Sequence, residues 1–389
     1  MFNRNGMPSE GTKEQRKKFK PAPGRRRILA CVGVLAVVAA FMLFITLQTY
    51  STARISDTYK ISGGADGRYE KFAEGVLKYS RDGIAYLDQK GEEKWNQSCQ
   101  IKNPFVEIDD VSAAGADKGG NNIMIFQEEG MIGEIETALP IERMAVSEQG
   151  IVAVILKNGS TPSIVCYDVK GNILVEHQAS FDGTGYPLDV SIAPNGEVMQ
   201  VVYMQVKSSG IESKAAYYNF GEKGETATDH EVASKEYNNS VAVSGFFMTQ
   251  QVSAVVGDNC LTLFKGKEVP EEVTTVTIEK EIQSVFHNDA YIGMILKNEG
   301  SGGYELRVYN KSGKKVMSKD FSESYKNAEI YGGQIVMYDG KQCCVYLRSG
   351  ILKFKGELDN NILEIFPIKG VNKYIVMNAN GMEHMRFVK

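Results

Sequence analysis

Residues 161–178 read TPSIVCYDVKGNILVEHQ, and this stretch decides the fold. Two short apolar runs flank a polar turn in which Tyr167 is followed by Asp168 and, four residues after the tyrosine, by Gly171. An acceptor side chain at the start of a turn and a glycine able to adopt positive φ near its end suit a β-hairpin loop built on a type I turn. The stretch therefore predicts two antiparallel strands.

The same spacing from an aromatic residue or leucine to a glycine recurs along the chain, in AYLDQKGEEKW, IFQEEGMIGE and RVYNKSGKKVM. Looser copies are NFGEKGE, LTLFKGKEV, VYLRSGILKF and the C-terminal HMRFVK. A period of 38 to 53 residues, with room for about four short strands, is typical of β-propeller blades. We therefore predict an all-β propeller over residues 66–389, with eight blades favoured and seven as the alternative. The repeat positions are Leu87, Phe126, Tyr167, Phe220, Phe264, Tyr309, Leu347 and Phe387.

One complete blade can be followed through residues 141–178, as four successive runs that begin IERMAV, IVAVIL, TPSIVCY and NILVEHQ. The last repeat ends after its third strand. The run TYKIS, from Thr58 to Ser62, is a candidate for the missing outer strand and would close the ring.

A second feature is the uncharged run ILACVGVLAVVAAFMLFITL, from Ile28 to Leu47. Twenty helical residues at roughly 1.5 Å each span about 30 Å, the thickness of the hydrocarbon core of a bilayer. The run therefore predicts one transmembrane helix. The rival interpretation is a cleaved signal peptide, although its apolar region is usually shorter and Ser51-Thr52-Ala53 is a weak cleavage site.

The flanking charges predict the direction of the helix. Arg25, Arg26 and Arg27 precede it directly, which places the N-terminus in the cytoplasm by the positive-inside rule. The expected organisation is a disordered basic cytoplasmic tail (1–27), a transmembrane helix (28–47), an extracytoplasmic spacer (48–65) and the propeller (66–389). The predicted location is the bacterial cell membrane, with the C-terminal domain outside the cell.

Charge also excludes one class of partner. Nine basic and two acidic residues precede Ile28, so the chain after Leu47 carries 35 basic and 46 acidic residues, a balance of −11. A duplex-binding surface needs clustered Lys and Arg to displace counterions, so we expect no nucleic-acid partner for the large domain.

The repeats YLDQKGEEKW, CYDVKGNILVEH and VYNKSGKKVMSK resemble blades of the PQQ-like (quinoprotein-like) and WD40-like propellers. The order of basic tail, single span and propeller resembles a family of uncharacterised membrane-anchored proteins of Gram-positive, clostridia-type bacteria. The resemblance implies the fold and the anchor. It implies almost nothing about activity, because propellers carry many unrelated functions.

Cys343-Cys344 is a candidate for the vicinal disulfide on which quinoprotein dehydrogenases stack their cofactor. Those enzymes also have Trp-rich blades, whereas this chain has one Trp, and alternation along the strand QCCVYL points the two thiols to opposite faces. The other cysteines of the domain, Cys99, Cys166 and Cys260, are dispersed and predict buried small residues. We expect no cofactor.

Metal and nucleotide chemistry are also not indicated. The histidines, one in each of four distant segments, lack metal-ligand spacing, and Asp109-Asp110 lacks a calcium-loop pattern and is interpreted as a solvated turn. The Gly-rich run at residues 118–122 lacks the helix that would receive a phosphate. Nucleotide, hydrolase and dinucleotide motifs are absent from the sequence. The four histidines are His177, His230, His287 and His384.

Three functional hypotheses follow. The first is a non-enzymatic binding or scaffold module that presents the propeller to protein, peptide or cell-wall ligands. The second is an envelope hydrolase or lyase in which loop carboxylates converge at the central funnel, since paired carboxylates suffice for acid–base catalysis. The third is a single-span sensor, which would need to dimerise to transmit a signal.

Overall fold

The computed structural model describes residues 23–61, 67–181, 183–208, 210–238, 240–300 and 302–389. The chain divides into two units between Gln48 and Thr49. The first unit contains one helix, and the second is a ring of β-sheets. The predicted tail (1–27) lies mostly outside the described residues.

Helix α1 spans Pro23–Leu47, so it begins five residues before the predicted span and includes the three arginines. Its large apolar side chains whose exposure is described, such as Ile28 and Phe41, are 48% to 69% exposed. Among the described residues, no helix is long and apolar enough to cross a membrane. The transmembrane prediction, which rests on all twenty residues from Ile28 to Leu47, stays a prediction.

The second unit confirms the all-β fold and the count of eight blades. Its described residues form eight four-stranded sheets in which neighbouring strands are antiparallel. Seven of the sheets follow the order of the chain. The first four blades consist of β2–β5 (Arg68–Phe72, Gly75–Ser80, Gly83–Leu87, Glu93–Ser98), β6–β9 (Pro104–Asp109, Ser112–Asp117, Asn122–Gln127, Gly130–Glu136), β10–β13 (Ile141–Val146, Val152–Leu156, Ser163–Tyr167, Ile173–Gln178) and β14–β17 (Tyr186–Ile192, Val198–Lys207, Gly210–Asn219, Glu231–Tyr237).

Blade 4 carries a short helix, α2 (Glu222–Glu225), and a single 3₁₀ turn, Thr228–His230, between its third and fourth strands. The remaining strands form blades 5 to 7 and most of blade 8. They are β18–β21 (Ala242–Thr249, Val252–Gly257, Cys260–Lys265, Glu271–Thr277), β22–β25 (Ile282–His287, Tyr291–Lys297, Tyr304–Asn310, Lys315–Phe321), β26–β29 (Asn327–Tyr331, Gln334–Asp339, Gln342–Leu347, Leu352–Glu357) and β30–β32 (Glu364–Pro367, Lys373–Asn378, Gly381–Val388).

Blade 8 is completed by the first strand of the domain, β1 (Thr52–Tyr59), which pairs with β32 from Thr52↔Val388 to Tyr59↔Met382. The predicted closing mechanism is therefore correct, but the predicted segment is not. The closing strand begins six residues before Thr58 and ends at Tyr59, and Ser62 lies outside the described residues. The predicted spacer (48–65) is also wrong in extent, because most of it is this strand.

The turn predicted from the repeat is present in three blades. In blade 3 the Asp168 carboxylate accepts hydrogen bonds from the backbone N–H groups of Lys170 and Asn172 at 2.8 and 2.9 Å, and Gly171 has φ +80°. Asp88 and Asn310 accept the equivalent pairs of bonds in blades 1 and 6. Blade 2 differs, because Gln127 pairs directly with Gly130 across a two-residue turn.

The core is divided among the blade interfaces. The described buried residues form eight apolar clusters, and each cluster joins the facing sides of two adjacent blades. Blade 1 meets blade 8 through Val76 and Leu87 on one side and Ile375 and Met377 on the other. Every sheet is thus buried on both faces, which explains the nearly continuous apolar second and third strands.

We predict that the closing strand is essential for stability. A chain that begins at Thr49 retains β1, whereas a chain that begins at Gly67 exposes the unpaired edge of β32 and loses the packing of Ala53 and Ile55 on the interface of blades 7 and 8. We expect the shorter chain to lose at least about 3 kcal/mol of unfolding free energy and to aggregate. Urea unfolding followed by circular dichroism, with size-exclusion chromatography, measures both effects. Equal stability of the two chains would contradict the assigned role of β1.

Candidate functional site: a carboxylate-lined central channel

The first strands of the blades surround a central channel. Three cavities of about 660, 330 and 380 Å³ lie along it and share lining residues. The lower mouth of the channel is formed by turns between first and second strands, such as those at Asp110 and Asn288. We call the face with these turns the lower face. The opposite, upper face carries the loops between blades and the turns between second and third strands.

Three carboxylates occupy the same position in their blades. Glu70, Glu107 and Glu329 lie on the first strands of blades 1, 2 and 7, and each pairs with the residue seven positions later on the second strand. All three are accessible to water. Because protein nonetheless surrounds them, burial raises the pKa of Glu107 and of Glu329 to about 7 and also raises the pKa of Glu70.

Glu364, on the first strand of blade 8, is the most enclosed carboxylate of the channel and is only 5% exposed. The hydroxyls of Tyr331 and Tyr338 each donate a hydrogen bond to it at 2.8 Å. Burial, followed by the negative charges of Glu70 and Glu329, raises the pKa of Glu364 to about 8, although the two tyrosine hydrogen bonds oppose the shift. The channel therefore holds a proton on this group at neutral pH.

The opposite wall contains one cation. Arg143 of blade 3 interacts electrostatically with Glu107 and with Asp189 of blade 4 and lowers the pKa of each. Asp189 also accepts hydrogen bonds from the Ser244 hydroxyl (2.8 Å) and the Gly245 N–H (3.0 Å) of blade 5. Burial outweighs these contacts, so the pKa of Asp189 is still raised. A second arginine, Arg68, lines the cavity of Glu70, Glu329 and Glu364 and lowers the pKa of Glu70. Two arginines thus face five carboxylates among the described residues of the channel.

At the lower mouth, carboxylate oxygens of Asp109, Asp110 and Glu148 lie within 4.8 Å of one another. The prediction of a solvated turn holds for exposed Asp110 but is wrong for half-buried Asp109. Burial, followed by the charges of Glu148 and Asp110, raises the pKa of Asp109 to about 7. The cluster extends the negative charge of the channel to its opening.

The wall of the channel is not only acidic. Between Asp189 and the lower mouth, the ring of Phe246 stacks on the His287 imidazole at 3.8 Å between centroids and 3° between planes. Ile108 and Phe247 line the same cavity. Aromatic and aliphatic side chains therefore lie beside the carboxylates. The channel can contact the apolar part of a ligand as well as its charged group.

The structure places the predicted cysteines apart from this channel. Cys343 and Cys344 are reduced and buried on opposite faces of β28, one in the cluster shared with blade 8 and the other in the cluster shared with blade 6, as alternation predicts. Cys166 and Cys260 are buried and free, and Cys99 is partly exposed and free.

The four histidines are likewise not brought together. His177 and His230 of neighbouring blades are near enough for their charges to interact, and burial lowers the pKa of His177. Neither belongs to a group of potential metal ligands among the described residues. His287 lines the channel, and His384 lies on β32 beside Tyr59.

The channel carboxylates are the candidate functional residues that sequence reasoning missed. Glu70, Glu107 and Glu329 stand singly in short first strands, RYEKF, PFVEID and NAEIY, where they look like ordinary surface residues. A glutamate at the same register of the first strands of blades 1, 2 and 7 is the signal in the sequence. Recognising it requires aligning the blades by their first strands rather than by their turns.

Fold and channel together define an eight-bladed β-propeller with an acidic axis. The chain belongs to the Family of unknown function (DUF5711), whose model matches residues 46–387. This match includes the closing strand β1. No curated protein matches the chain.

Among solved structures, the chain is similar to the crystal structure of BamB from Moraxella catarrhalis. The TM-score is 0.51 at 13% sequence identity, and the match covers 87% of this chain and 99% of that chain. At this identity, the likeness shows the fold alone.

We predict that Glu364 makes stability fall as pH rises. Its pKa is about 8 in the folded protein and near 4.5 when unfolded, so the folded state binds the proton more tightly and loses stability as pH increases from about 5 to 8. Glu364→Gln keeps one hydrogen-bond acceptor and one donor for the two tyrosine hydroxyls. Because glutamine does not ionise, the variant does not lose this stability as pH rises. Relative to wild type, the variant should gain on the order of 2 to 4 kcal/mol at pH 8 and much less at pH 5.

Thermal and urea unfolding at both pH values measure the difference. Glu279→Gln, at an exposed position between blades, is the matched control and should show no such pH-dependent gain. A gain for Glu364→Gln that is equal at pH 5 and pH 8 would contradict the assignment.

Proposed function

We propose that this protein is a membrane-tethered, extracytoplasmic binding module whose channel receives a positively charged segment of a protein or peptide partner. The observation that carries the proposal is the convergence of five carboxylates from five blades on one axis, where they outnumber the two arginines that line the same cavities, Arg68 and Arg143. No catalytic step is needed for this role.

The physical argument begins with the cost of the channel. Carboxylates in a protein-enclosed space lose hydration, and this loss is the main cause of each raised pKa. Carboxylates held close together also repel one another. A stabler channel could be built from apolar or amide side chains. A cationic ligand would relieve the repulsion, and the carboxylates would provide charge-assisted hydrogen bonds to Lys or Arg side chains.

The dimensions favour an extended segment over a free ion. The lower-mouth cavity alone is about 660 Å³, within the range that holds ligands of several residues or a drug-sized molecule. Its lining combines Asp109 and Glu148 with Ile108, Phe247 and Tyr331. The aliphatic stems of Lys and Arg pack on such apolar surface while their charged ends reach carboxylates.

We predict that a hexa-arginine peptide binds the protein and that binding depends on the three glutamates at equivalent positions of blades 1, 2 and 7. In the triple variant Glu70→Gln/Glu107→Gln/Glu329→Gln, three carboxylates lose their charge, and the affinity should fall by about tenfold or more. Wild-type affinity should increase from pH 6 to pH 8, because Glu107 and Glu329 lose their protons near pH 7. Isothermal titration calorimetry at low salt measures both.

The control removes the same net charge elsewhere, with Glu271→Gln/Glu279→Gln/Glu357→Gln at exposed positions away from the channel. Its affinity should stay within about threefold of wild type, since only long-range attraction is lost. Equal weakening in both triple variants would show that the peptide binds general surface charge and would contradict the proposal.

An envelope hydrolase or lyase is the second candidate, because Glu107 and Asp189 approach each other with raised pKa values, as a general acid requires. Turnover of a cell-wall glycan or peptide by the wild-type protein, lost in Glu107→Gln but not in the control triple variant, would favour the enzyme over the binding module.

The membrane anchor is part of the proposal and rests on the uncharged run Ile28–Leu47 and the preceding arginines, as in the membrane-anchored propellers that the sequence resembles. The closing strand supports an anchor over a cleaved signal peptide. Ala53 pairs with Phe387 inside β1, so cleavage after Ala53 would remove the start of the strand that closes the ring.

We predict that alkaline phosphatase fused after Lys389 is active outside the cell and that the protein resists extraction by alkaline carbonate. Replacing Arg25, Arg26 and Arg27 by glutamate should reduce export of the fusion, because positive flanking charge holds the N-terminus inside. Charge reversal at Lys311, Lys314 and Lys315, within the propeller, should not. Full release by carbonate, or a mature N-terminus near residue 54, would contradict the anchor.

A further inference from the structure

A second site lies on the upper face, between blades 1 and 2. A cavity of about 900 Å³ is lined by four basic side chains and one acidic side chain, Asp82. We call the four basic residues and their cavity the basic pocket; they are Arg68, Arg81, Lys102 and Lys118. Its local balance of +3 contrasts with the balance of −11 for the chain beyond Leu47.

Three separate loops contribute to the basic pocket, and backbone hydrogen bonds hold them together. The Ile101 N–H donates to the carbonyl of Arg81 at 2.9 Å, and the Lys118 N–H donates to the carbonyl of Asn103 at 3.0 Å. The Asp117 carboxylate accepts from the Asn103 N–H at 2.8 Å. The loops that carry the charges are therefore positioned before any ligand arrives.

The loop of Lys118 is also fixed to the next blade. The Gly119 N–H donates to the carbonyl of Ile141, and the Ile141 N–H donates to the carbonyl of Gly120, both at 2.8 Å. Gly119 has φ +86°, which favours glycine at this position. The Gly-rich run, which has no helix to receive an anion, here serves to place a lysine at the rim of the cavity.

The charges of the basic pocket are not neutralised within the protein. Across the described part of the chain, no carboxylate lies within 4 Å of the charged nitrogens of the four basic residues. Arg68 donates a hydrogen bond to the carbonyl of Pro104 at 3.3 Å and interacts electrostatically with Glu70. Arg81, Lys102 and Lys118 are exposed at the rim of the cavity. In a protein with a surplus of acidic residues, a cavity lined by four basic side chains and one acidic side chain is a distinctive feature.

We propose that the basic pocket binds a phosphate-bearing anion, with Arg81, Lys102 and Lys118 as its principal contacts and Arg68 at the inner end. Guanidinium groups bind phosphate oxygens in pairs, and lysines add point charges. The balance of +3 suits a ligand with more than one negative charge. The cavity is larger than a single ion, so the phosphate is carried by a larger group, either a lipid headgroup or a soluble phosphate polymer.

This site is distinct from the acidic channel, although Arg68 and Tyr79 line both the basic pocket and the adjoining upper cavity of the channel. It binds a ligand of opposite charge and uses none of the glutamates that the proposed function requires. Failure of one proposal therefore does not imply failure of the other.

The test uses the full-length protein in a non-ionic detergent and pyrophosphate as the probe, measured by isothermal titration calorimetry. We expect a Kd between about 10 μM and 1 mM at low salt, weakening steeply as salt is added. Arg81→Gln/Lys102→Gln should weaken binding about tenfold or more. The matched control, Lys311→Gln/Lys314→Gln in a turn on the lower face, should change the Kd less than about threefold.

Two further probes distinguish the sources of the phosphate. Binding of 1,3-bis(sn-glycero-3-phospho)glycerol, which carries two negative charges, at least as tight as that of tripolyphosphate supports a lipid headgroup, and tighter binding of tripolyphosphate supports a soluble polymer. Absence of binding at about 5 mM pyrophosphate, in wild-type protein with an intact thermal transition, would overturn the proposal. Equal weakening in the two double variants would overturn it as well.

Discussion

The pairing of β1 with β32 is the constraint on which the rest of the structure depends. A propeller has no common core, because each blade buries its faces only against its two neighbours. Blade 8 contributes three strands from the C-terminus and takes its fourth from residues 52–59, more than 300 positions earlier. This pairing joins the two ends of the domain and keeps blade 8 between blades 7 and 1, so that all eight apolar interfaces can form.

Ring closure has an electrostatic consequence. It brings together first strands that are far apart in sequence, such as those of Glu70 and Glu329, and leaves them facing a water-accessible axis instead of a packed interface. Glu70, Glu107 and Glu329 remain accessible to water on that axis, but they share one enclosed space. The charges of neighbouring carboxylates raise the pKa of Glu107, Glu329 and Glu364 beyond the effect of burial alone. Arg143 only partly offsets the effect at Glu107, and Tyr331 and Tyr338 only partly offset it at Glu364.

The two faces of the propeller carry clusters of opposite charge. The lower mouth collects carboxylates from the turns within blades, whereas the basic pocket on the upper face collects cations from loops of blades 1 and 2. The net charge of the chain gives no indication of this separation. It arises because alternate connections of an antiparallel blade emerge on opposite faces, so residues in consecutive turns are sorted between the two ends.

The sequence by itself determined the features that depend on neighbouring residues. The turns of Asp168 and Gly171, the four strands of residues 141–178 and the opposed thiols of Cys343 and Cys344 follow from local geometry, and their regular repetition implied eight blades. Only the tertiary structure decided the register and bounds of the closing strand. By sequence, TYKIS and the preceding residues are equally plausible strands, and only the pairing with β32 determines which residues form β1. The channel and the basic pocket were likewise decided only by ring closure, because electrostatic interactions depend on distance in space, which a sequence does not contain.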